Sequence, residues 1–206
     1  MGIGRLTDAV AASPGALGLA MLQADPHAVR LDRALQLAAV SDALADGVAV
    51  ATDLRKRFPA LTPQEIAREL RVPVETTDDD PMVGSIWRFA EYRSRPRCII
   101  LYSRGIAPLE GTLVVDLVTR LLGQATLQDV FVAHELYHHA EAIRSEVPIA
   151  RRYQPTLFRI GKWRWRTSIP SLAEIAAGAF AQSLLDLPHY PKVLDFVAVD
   201  VIRKAT

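Results

Sequence analysis

The sequence predicts one α+β domain in which a small antiparallel sheet packs on helices, preceded by a helical extension. Three observations predict this class. Apolar residues recur at helical spacing over most of the chain, a middle segment alternates with a period of two, and 206 residues suffice for one domain with its own core. We expect the helical N-terminal extension to occupy residues 1–60 and the main domain to occupy residues 61–206.

The composition narrows the classes of function. The formal net charge is +1, so no global field draws the chain to nucleic acid. We find no run of about 18 apolar residues that would predict a membrane span, and no clean apolar run of a secretory signal. The single cysteine, Cys98, excludes an intramolecular disulfide and a thiolate-rich structural zinc site. We therefore expect a cytoplasmic protein without membrane partners and with nucleic acid disfavoured; the oligomeric state stays open.

The first elements in the chain are predicted to be helices. Apolar residues at helical spacing predict a helix over residues 27–48. A second helix is predicted over residues 62–71, because Thr62 and Glu65 form a capping box and Pro63 occupies the first helical position.

The pattern then changes to that of strands. Residues 72–75, 84–92 and 97–102 predict two or three strands, antiparallel, which are separated by turns over residues 76–81 and 94–96. Further helices are predicted at four places after the strands. Their ranges are residues 108–122, 127–145, 171–187 and 192–204.

One motif in the helix over residues 127–145 carries a specific chemistry. His134 and His138 are separated by one helical turn, so their imidazoles lie about 40° apart around the helix axis and can share one metal ion. Glu135 lies about 100° from His134 and flanks the pair instead of joining it. This spacing is typical of zinc hydrolases, in which the glutamate takes the proton of a zinc-bound water as that water attacks a carbonyl. Two buried core histidines are the structural alternative.

A catalytic zinc site also requires a third protein ligand. His139 points about 140° away from His134, and no all-histidine continuation follows His138. Glu174 is the better candidate, because it opens the helix over residues 171–187. The spacing alone leaves a competing role open, since Ser171 and Glu174 also form a capping box.

Two segments together resemble the ImmA/IrrE family of bacterial zinc metallopeptidases. The first is residues 133–139, Ala-His-Glu-Leu-Tyr-His-His. The second is a helical pattern formed by Glu174, Ala177, Phe180, Ala181, Leu184 and Leu185. The resemblance covers roughly residues 62–188 and implies a zincin-like fold with a central metal helix and with Glu174 as the third zinc ligand.

The resemblance also implies an activity. It implies a zinc-dependent endopeptidase that hydrolyses a specific protein or peptide, such as a transcriptional repressor or another regulator. Two alternatives remain open, which are a zinc hydrolase of small amides or peptides and a metal-binding regulator that binds a partner without cleaving it. The chain has Gly178 where the family commonly has Asn, so a polar group that could support a metal-bound histidine is missing there, and Glu141 is a candidate substitute.

Some residues are candidates for contacts with the substrate. A tyrosine or arginine near the zinc ion would stabilise the developing oxyanion, and Tyr102, Tyr137 and Arg166 are candidates. We expect an extended substrate to lie along the strand over residues 97–102 or along its neighbour. The basic and aromatic segment over residues 151–166 is either an exosite for an acidic partner or nucleic acid, or a solvated strand or loop, which we favour.

Overall fold

In the computed structural model, which describes residues 6–84, 86–113 and 115–205, helices carry most of the chain and short strands form small sheets. The helices are α1 (Leu6–Ala11), α2 (Pro14–Ala24), α3 (Arg33–Arg57), α4 (Pro63–Glu69), α5 (Ser103–Thr112), α6 (Val115–Leu122), α7 (Leu127–Ile143), α8 (Ile149–Arg152), α9 (Ser171–Leu185) and α10 (Val193–Ala205). The strands are β1 (Val74–Thr77), β2 (Met82–Val83), β3 (Ile86–Trp87), β4 (Ala90–Ser94), β5 (Arg97–Tyr102), β6 (Thr156–Ile160) and β7 (Trp163–Arg166). The predicted α+β class with small sheets is confirmed.

The largest sheet has the strand order β1-β5-β4. β4 pairs antiparallel with β5, as predicted, whereas β1 pairs parallel with β5, so the prediction of a purely antiparallel sheet was wrong. Residues 78–96 connect β1 to β5, and this connection is long enough for the crossover that a parallel pair requires. β5 is therefore the central strand, and β4 leaves one edge of the sheet unpaired.

The predicted N-terminal helix begins later and ends later than the apolar pattern indicated. A short 3₁₀ turn over Ala28–Arg30 precedes α3, and the Asp32 carboxylate caps α3 by accepting the Leu35 backbone N–H at 2.8 Å. The predicted range of residues 27–48 therefore covers the 3₁₀ turn and the first part of α3. The start of α3 is set by the aspartate cap, which the apolar spacing does not reveal.

Two other predicted elements are each divided in the structure. The predicted strand over residues 84–92 contains β3 and the start of β4, because the Arg88 N–H turns away to donate to the Pro81 carbonyl at 2.9 Å. The predicted helix over residues 108–122 becomes α5 and α6, and Leu113 after α5 has an extended backbone, with φ −75° and ψ 103°.

α7 is the central helix of the domain. It packs on β4 and β5 on one side and on α9 on the other, and α3 packs along α9. The residues that form this shared core include Val40, Ala43, Ile99, Val132, Leu136, Ile175 and Phe180. α3, which the sequence assigns to an N-terminal extension, therefore contributes a layer to the same core as α7.

By length and composition alone α3 could also cross a membrane, a property that core helices share.

The close approach of α3 and α9 depends on Gly47. A Cβ atom at this position would lie 2.1 Å from the Ala176 carbonyl oxygen and 2.8 Å from the Phe180 backbone nitrogen. Both neighbours are backbone atoms of α9, so a methyl group cannot be accommodated unless the two helices separate.

We expect Gly47→Ala to lower the free energy of unfolding by about 1–3 kcal/mol, because it overpacks the core. Urea unfolding followed by circular dichroism measures this change. Gly111→Ala is the matched control, since a Cβ atom added at this position on α5 would point into open space. It should be neutral or stabilise the protein by up to about 1 kcal/mol. Equal unfolding midpoints for the two variants would contradict this account of the α3–α9 contact.

Candidate metal centre

α7 directs two histidines toward one point. Its start is fixed by a capping box in which the Thr126 hydroxyl accepts the Asp129 N–H at 3.0 Å and the Asp129 carboxylate accepts the Thr126 N–H at 2.9 Å. Eight residues beyond Thr126 comes His134, and His138 follows one turn later. The Nε2 atoms of the two imidazoles lie 3.3 Å apart. The predicted convergence of the two rings is therefore present in the structure.

Glu174 joins the histidines from the first turn of α9. Its Oε2 lies 3.0 Å from His134 Nε2, and its Oε1 lies 3.3 Å from His138 Nε2. The competing role in a capping box with Ser171 is not taken, because the Ser171 N–H donates to the Asp25 carboxylate at 3.3 Å and the Glu174 N–H donates to the Pro170 carbonyl at 3.4 Å. The Glu174 carboxylate thus lies with the imidazoles instead of with its own helix start.

The donor atoms of this trio fit a tetrahedral metal ion. Atoms that bind zinc at about 2.0–2.1 Å in a tetrahedral arrangement lie about 3.3 Å from one another. Here the two Nε2 atoms lie 3.3 Å apart, and they lie 3.0 and 3.3 Å from the Oε2 and Oε1 atoms, respectively, of the Glu174 carboxylate. At this separation the Nε2 lone pairs of both imidazoles can be directed at one cation between them. Two histidines and one carboxylate are also a ligand set that catalytic zinc sites use.

The electrostatics of the trio favour a positive occupant. Burial lowers the pKa of the His134 imidazole, but the hydrogen bond and charge of Glu174 outweigh burial and raise that pKa to about 9. Burial raises the pKa of the Glu174 carboxyl, yet the two histidines hold it well below its usual range. Without a metal ion the carboxylate therefore attracts a proton onto an imidazole, and a divalent cation would replace that proton.

Glu135 borders the trio without joining it. The residue is only 8% exposed, and it lines the same cavity as His134 and Glu174. Burial raises the pKa of the Glu135 carboxyl, and the neighbouring histidines only partly offset this effect. A buried carboxylate with a raised pKa accepts a proton more readily than an exposed one, which suits a general base.

Two residues of the trio, His134 and Glu174, line a cavity of about 510 Å³. One wall comes from the segment that holds β3 and the start of β4, and the opposite wall comes from the start of α10 and the residues before it. The lining side chains from these walls include Ile86, Trp87, Phe89, Tyr190, Lys192, Leu194 and Asp195. Lys192 and Asp195 form an ion pair beside the metal-ligand candidates. The cavity therefore offers apolar surface and both signs of charge next to the trio.

The three candidate oxyanion or substrate contacts do not line this cavity among the described residues. The Tyr137 hydroxyl donates to Asp46 at 2.8 Å inside the core. Tyr102 is 1% exposed and lies under the Arg88 guanidinium, 4.4 Å from ring centroid to the Arg88 Cζ atom. Arg166 lies exposed at the end of β7. Tyr190 does line the cavity, and the sequence did not point to it because no pattern in the chain links residue 190 to α7.

Tyr190 occupies the space beside Gly178, one turn after Glu174. A Cβ atom at position 178 would lie 2.5 Å from the Tyr190 hydroxyl oxygen, and that hydroxyl donates to the Ile175 carbonyl at 2.7 Å. Glycine at 178 is therefore explained by the tyrosine that packs over it. Glu141, the candidate substitute for a polar group at 178, instead accepts the Ile149 N–H at 2.9 Å.

We expect Gly178→Ala to displace the Tyr190 ring and to weaken both folding and metal retention, because the new methyl group overlaps the phenol. Thermal unfolding with and without added zinc measures both effects. Tyr190→Ala should also destabilise the protein, but the double variant should be less destabilised than the sum of the single changes. Additive losses would contradict the proposed steric contact.

A buried cluster of charges lies behind the metal helix. Asp46 on α3 accepts hydrogen bonds from Tyr137 at 2.8 Å, from Arg144 at 2.9 Å and from Arg152 at 2.7 Å. The Asp46 side chain is only 6% exposed. Burial raises the pKa of its carboxyl, but the bonds from Arg144 and Tyr137 outweigh burial, so that the net shift is downward. This cluster ties α3 to the turn of α7 that carries His138.

Known proteins add nothing to the description of this site. Comparison with protein-family models, with curated proteins and with solved structures finds no match. Among the described residues, His134, His138 and Glu174 form the only group of three or more potential metal-ligating side chains within mutual reach.

Proposed function

We propose that the protein is a zinc-dependent endopeptidase with a zincin-like fold, which hydrolyses a specific protein or peptide in the cytoplasm. The observation that carries the proposal is the convergence of His134, His138 and Glu174 at 3.0–3.3 Å, with Glu135 next to His134 and lining one cavity with it. A structural zinc site would instead use four protein ligands, commonly thiolates, and Cys98 is buried in the sheet and does not belong to this group.

The chemistry follows from the roles of the four side chains. His134, His138 and Glu174 would hold the ion, and zinc supplies Lewis acidity, which lowers the pKa of a coordinated water and polarises a carbonyl. Glu135 accepts the proton of the attacking water and then delivers it to the leaving amine. Its burial supports this cycle, because the raised pKa of the carboxyl brings proton uptake closer to neutral pH.

The edge of the sheet offers a place for an extended substrate. β5 is paired on both sides, so the sequence-based expectation that residues 97–102 receive the substrate directly does not fit, and its neighbour β4 does. In antiparallel pairing alternate residues point their backbone groups away from the partner. The Tyr102 N–H donates to the Phe89 carbonyl at 2.9 Å, so Phe89 and Glu91 turn their backbone groups toward β5. Ala90 and Tyr92 then direct their backbone groups to the open edge, and Ala90 lines the cavity. A peptide added there would pass the trio.

The nature of the substrate rests on the resemblance to the ImmA/IrrE family. That resemblance implies a regulatory protein, such as a transcriptional repressor, and we carry this implication as part of the proposal. A metal-binding regulator that does not cleave its partner would use the same trio, but it would not need Glu135 beside it.

A hydrolase of small amides or short peptides is the second candidate. The cavity volume of about 510 Å³ favours it, because it lies in the range of about 300–1,000 Å³ that small-molecule sites occupy. The two candidate functions differ in substrate length. An endopeptidase would bind a long peptide along the cavity and the β4 edge, whereas the second candidate would bind a short substrate within the cavity.

A degenerate peptide library followed by mass spectrometry tests the proposal. We expect zinc-loaded protein to cleave peptides of eight or more residues faster than dipeptides, to lose this activity with a chelator and to regain it on zinc addition. Faster cleavage of dipeptides and small amides would favour the second candidate. Metal-loaded protein that cleaves neither class, nor any protein in a cytoplasmic extract, would contradict the proposed activity.

A further inference from the structure

The largest sheet has a second open edge, at β1, on the side opposite β4. β1 is the terminal strand in the order β1-β5-β4, and its partner among the described residues is β5. The Ile99 N–H donates to the Pro73 carbonyl at 2.8 Å, so Pro73 and, two residues later, Glu75 turn their backbone groups toward β5. Val74 and Thr76 therefore direct their N–H and C=O groups away from the sheet.

Val74 and Thr76 both line a groove of about 700 Å³, which we call the β1 groove. Its other lining residues come from α4, from the turn after α4, from β5 and from the start of α7. They are Gln64, Arg68, Arg71, Val72, Pro73, Leu101 and Gln128. The lining thus includes two arginines, two amides and no carboxylate. None of these residues lines the cavity of the metal site, so the β1 groove is a separate, positively charged site.

The nearby glutamates do not line the β1 groove. Glu75 pairs with Ile100, which belongs to a small cluster apart from the main core, whereas Val74 packs against that core. Because successive side chains of a strand point to opposite faces, the Glu75 side chain lies on the face away from Val74. Glu65 lies 3.8 Å from Arg68, but its carboxylate already caps α4, and the Arg68 side chain stays 74% exposed. Arg68 is therefore accessible to another carboxylate.

Arg71 occupies a position at which glycine is usual. Its N–H donates to the Arg68 carbonyl at 3.0 Å, and the Val72 N–H donates to the Ala67 carbonyl at 2.8 Å, which is the ending of α4 that favours a glycine at residue 71. Arg71 has φ 58°, a conformation that a Cβ atom disfavours. Within the described part of the chain it forms no salt bridge that would offset this cost. A strained residue that lines a groove indicates a role in binding.

We propose that the β1 groove binds an extended acidic segment of a partner protein, which adds to the sheet as a strand beside β1. The outward backbone groups of Val74 and Thr76 would pair with those of the segment. Arg68 and Arg71 would bind its carboxylates through charge-assisted hydrogen bonds. Single-stranded nucleic acid fits less well, because sites for it stack bases on aromatic rings, and the lining of the β1 groove contains none.

Fluorescence polarisation with labelled peptides tests the proposal, and it needs no assay of activity. The probe is a ten-residue peptide that alternates glutamate with threonine, and the matched peptides have glutamine or lysine in place of glutamate. We expect wild-type protein, with or without added zinc, to bind the glutamate peptide at least tenfold more tightly than either matched peptide, and less tightly at high salt. Equal affinity for the three peptides, or tighter binding of a single-stranded RNA of ten nucleotides, would overturn the proposal.

Two arginine variants locate the binding site. Arg68→Gln/Arg71→Gln should weaken binding of the glutamate peptide about tenfold or more. Arg33→Gln/Arg120→Gln is the control, because it removes two exposed arginines that do not line the β1 groove, and it should leave the affinity unchanged. Equal affinities of the two double variants would place the peptide elsewhere and overturn the proposal.

Arg71→Gly separates binding from folding. Glycine adopts φ 58° without strain, so this variant should bind the glutamate peptide more weakly while its melting temperature stays the same or rises. Full affinity for the peptide would overturn the role of Arg71 in binding. A lowered melting temperature would overturn the argument from its conformation.

N-methylated peptides distinguish strand addition from a purely electrostatic contact. In a paired strand the N–H groups of alternate residues point to opposite sides. Methylating the nitrogens of one alternate set of residues should therefore weaken binding about tenfold, whereas methylating the other set should change it little. Equal losses for the two sets would show that the peptide does not pair with β1, and would overturn the proposed mode of binding.

Discussion

Glu135→Gln is expected to reduce peptide hydrolysis by about 10²- to 10⁴-fold while the protein retains its metal ion. The amide has nearly the shape of the carboxylate but cannot accept the proton of the attacking water. The three proposed ligands are left in place, because Glu135 borders the trio without contributing an atom to it. Turnover of a cleaved library peptide and zinc content by mass spectrometry measure the two effects on one preparation.

Glu141→Gln is the matched control for this change. Glu141 lies on the same helix, and its carboxylate accepts the Ile149 N–H at 2.9 Å, a bond that the glutamine carbonyl can keep. Turnover should stay within about twofold of wild type, as for most substitutions that do not touch the chemistry. Undiminished turnover in Glu135→Gln would show that Glu135 is not the general base and would contradict the proposed mechanism.

Asp46→Ala is expected to give the largest loss of stability, about 3 kcal/mol. The change leaves the Tyr137 hydroxyl and two arginines without their shared buried acceptor, and removing one partner of a buried pair typically costs about 3–5 kcal/mol. We expect the lower end of this range, because the side chains of Arg144 and Arg152 are 22% and 32% exposed and water can partly hydrate their guanidinium groups. The melting temperature should fall by roughly 6–12 °C.

Asp53→Ala is the control for this prediction, since Asp53 and its partner Lys56 on the same helix are 78% and 71% exposed. Its effect should stay within about 0.5 kcal/mol. A loss of similar size in both variants would show that α3, and not the buried cluster, is sensitive to substitution.

The same cluster predicts a dependence of stability on pH. The pKa of the Asp46 carboxyl is lowered in the folded protein, so its contribution is present above the unfolded pKa of about 3.9 and is lost as the pH falls through the lower folded value. The difference in stability between wild type and Asp46→Asn should therefore be constant near neutral pH and shrink below about pH 4. A difference that grows in acid would reverse the assigned direction.

The convergence of His134 and His138 could be predicted from the sequence because helical geometry is local. The spacing of His134 and His138 fixes their shared direction, and the structure adds a separation of 3.3 Å between their Nε2 atoms. The position of Glu174 could not be predicted from spacing alone, because its distance from the histidines depends on how α9 packs against α7. The prediction of Glu174 as the third ligand rested on the resemblance to the ImmA/IrrE family, because the helix pattern alone left the capping role open.

The walls of the cavity could not be predicted in the same way. Tyr190 and Lys192 lie in the segment between α9 and α10, and their positions at the cavity depend on long-range packing that no local pattern encodes. Tyr137 shows the opposite failure: its place beside His138 in the sequence suggested a role in the chemistry, whereas its hydroxyl is held by Asp46 of α3. Neighbours along a helix point to different sides, so adjacency in sequence is a poor guide to shared function.

Anomalous X-ray scattering at the zinc edge, from crystals of protein purified without chelator and soaked in zinc, is the most direct test of the central claim. The account predicts a single strong peak within about 2.0–2.2 Å of His134 Nε2, His138 Nε2 and a Glu174 carboxylate oxygen. A peak elsewhere, or no peak at these three side chains after soaking, would contradict it.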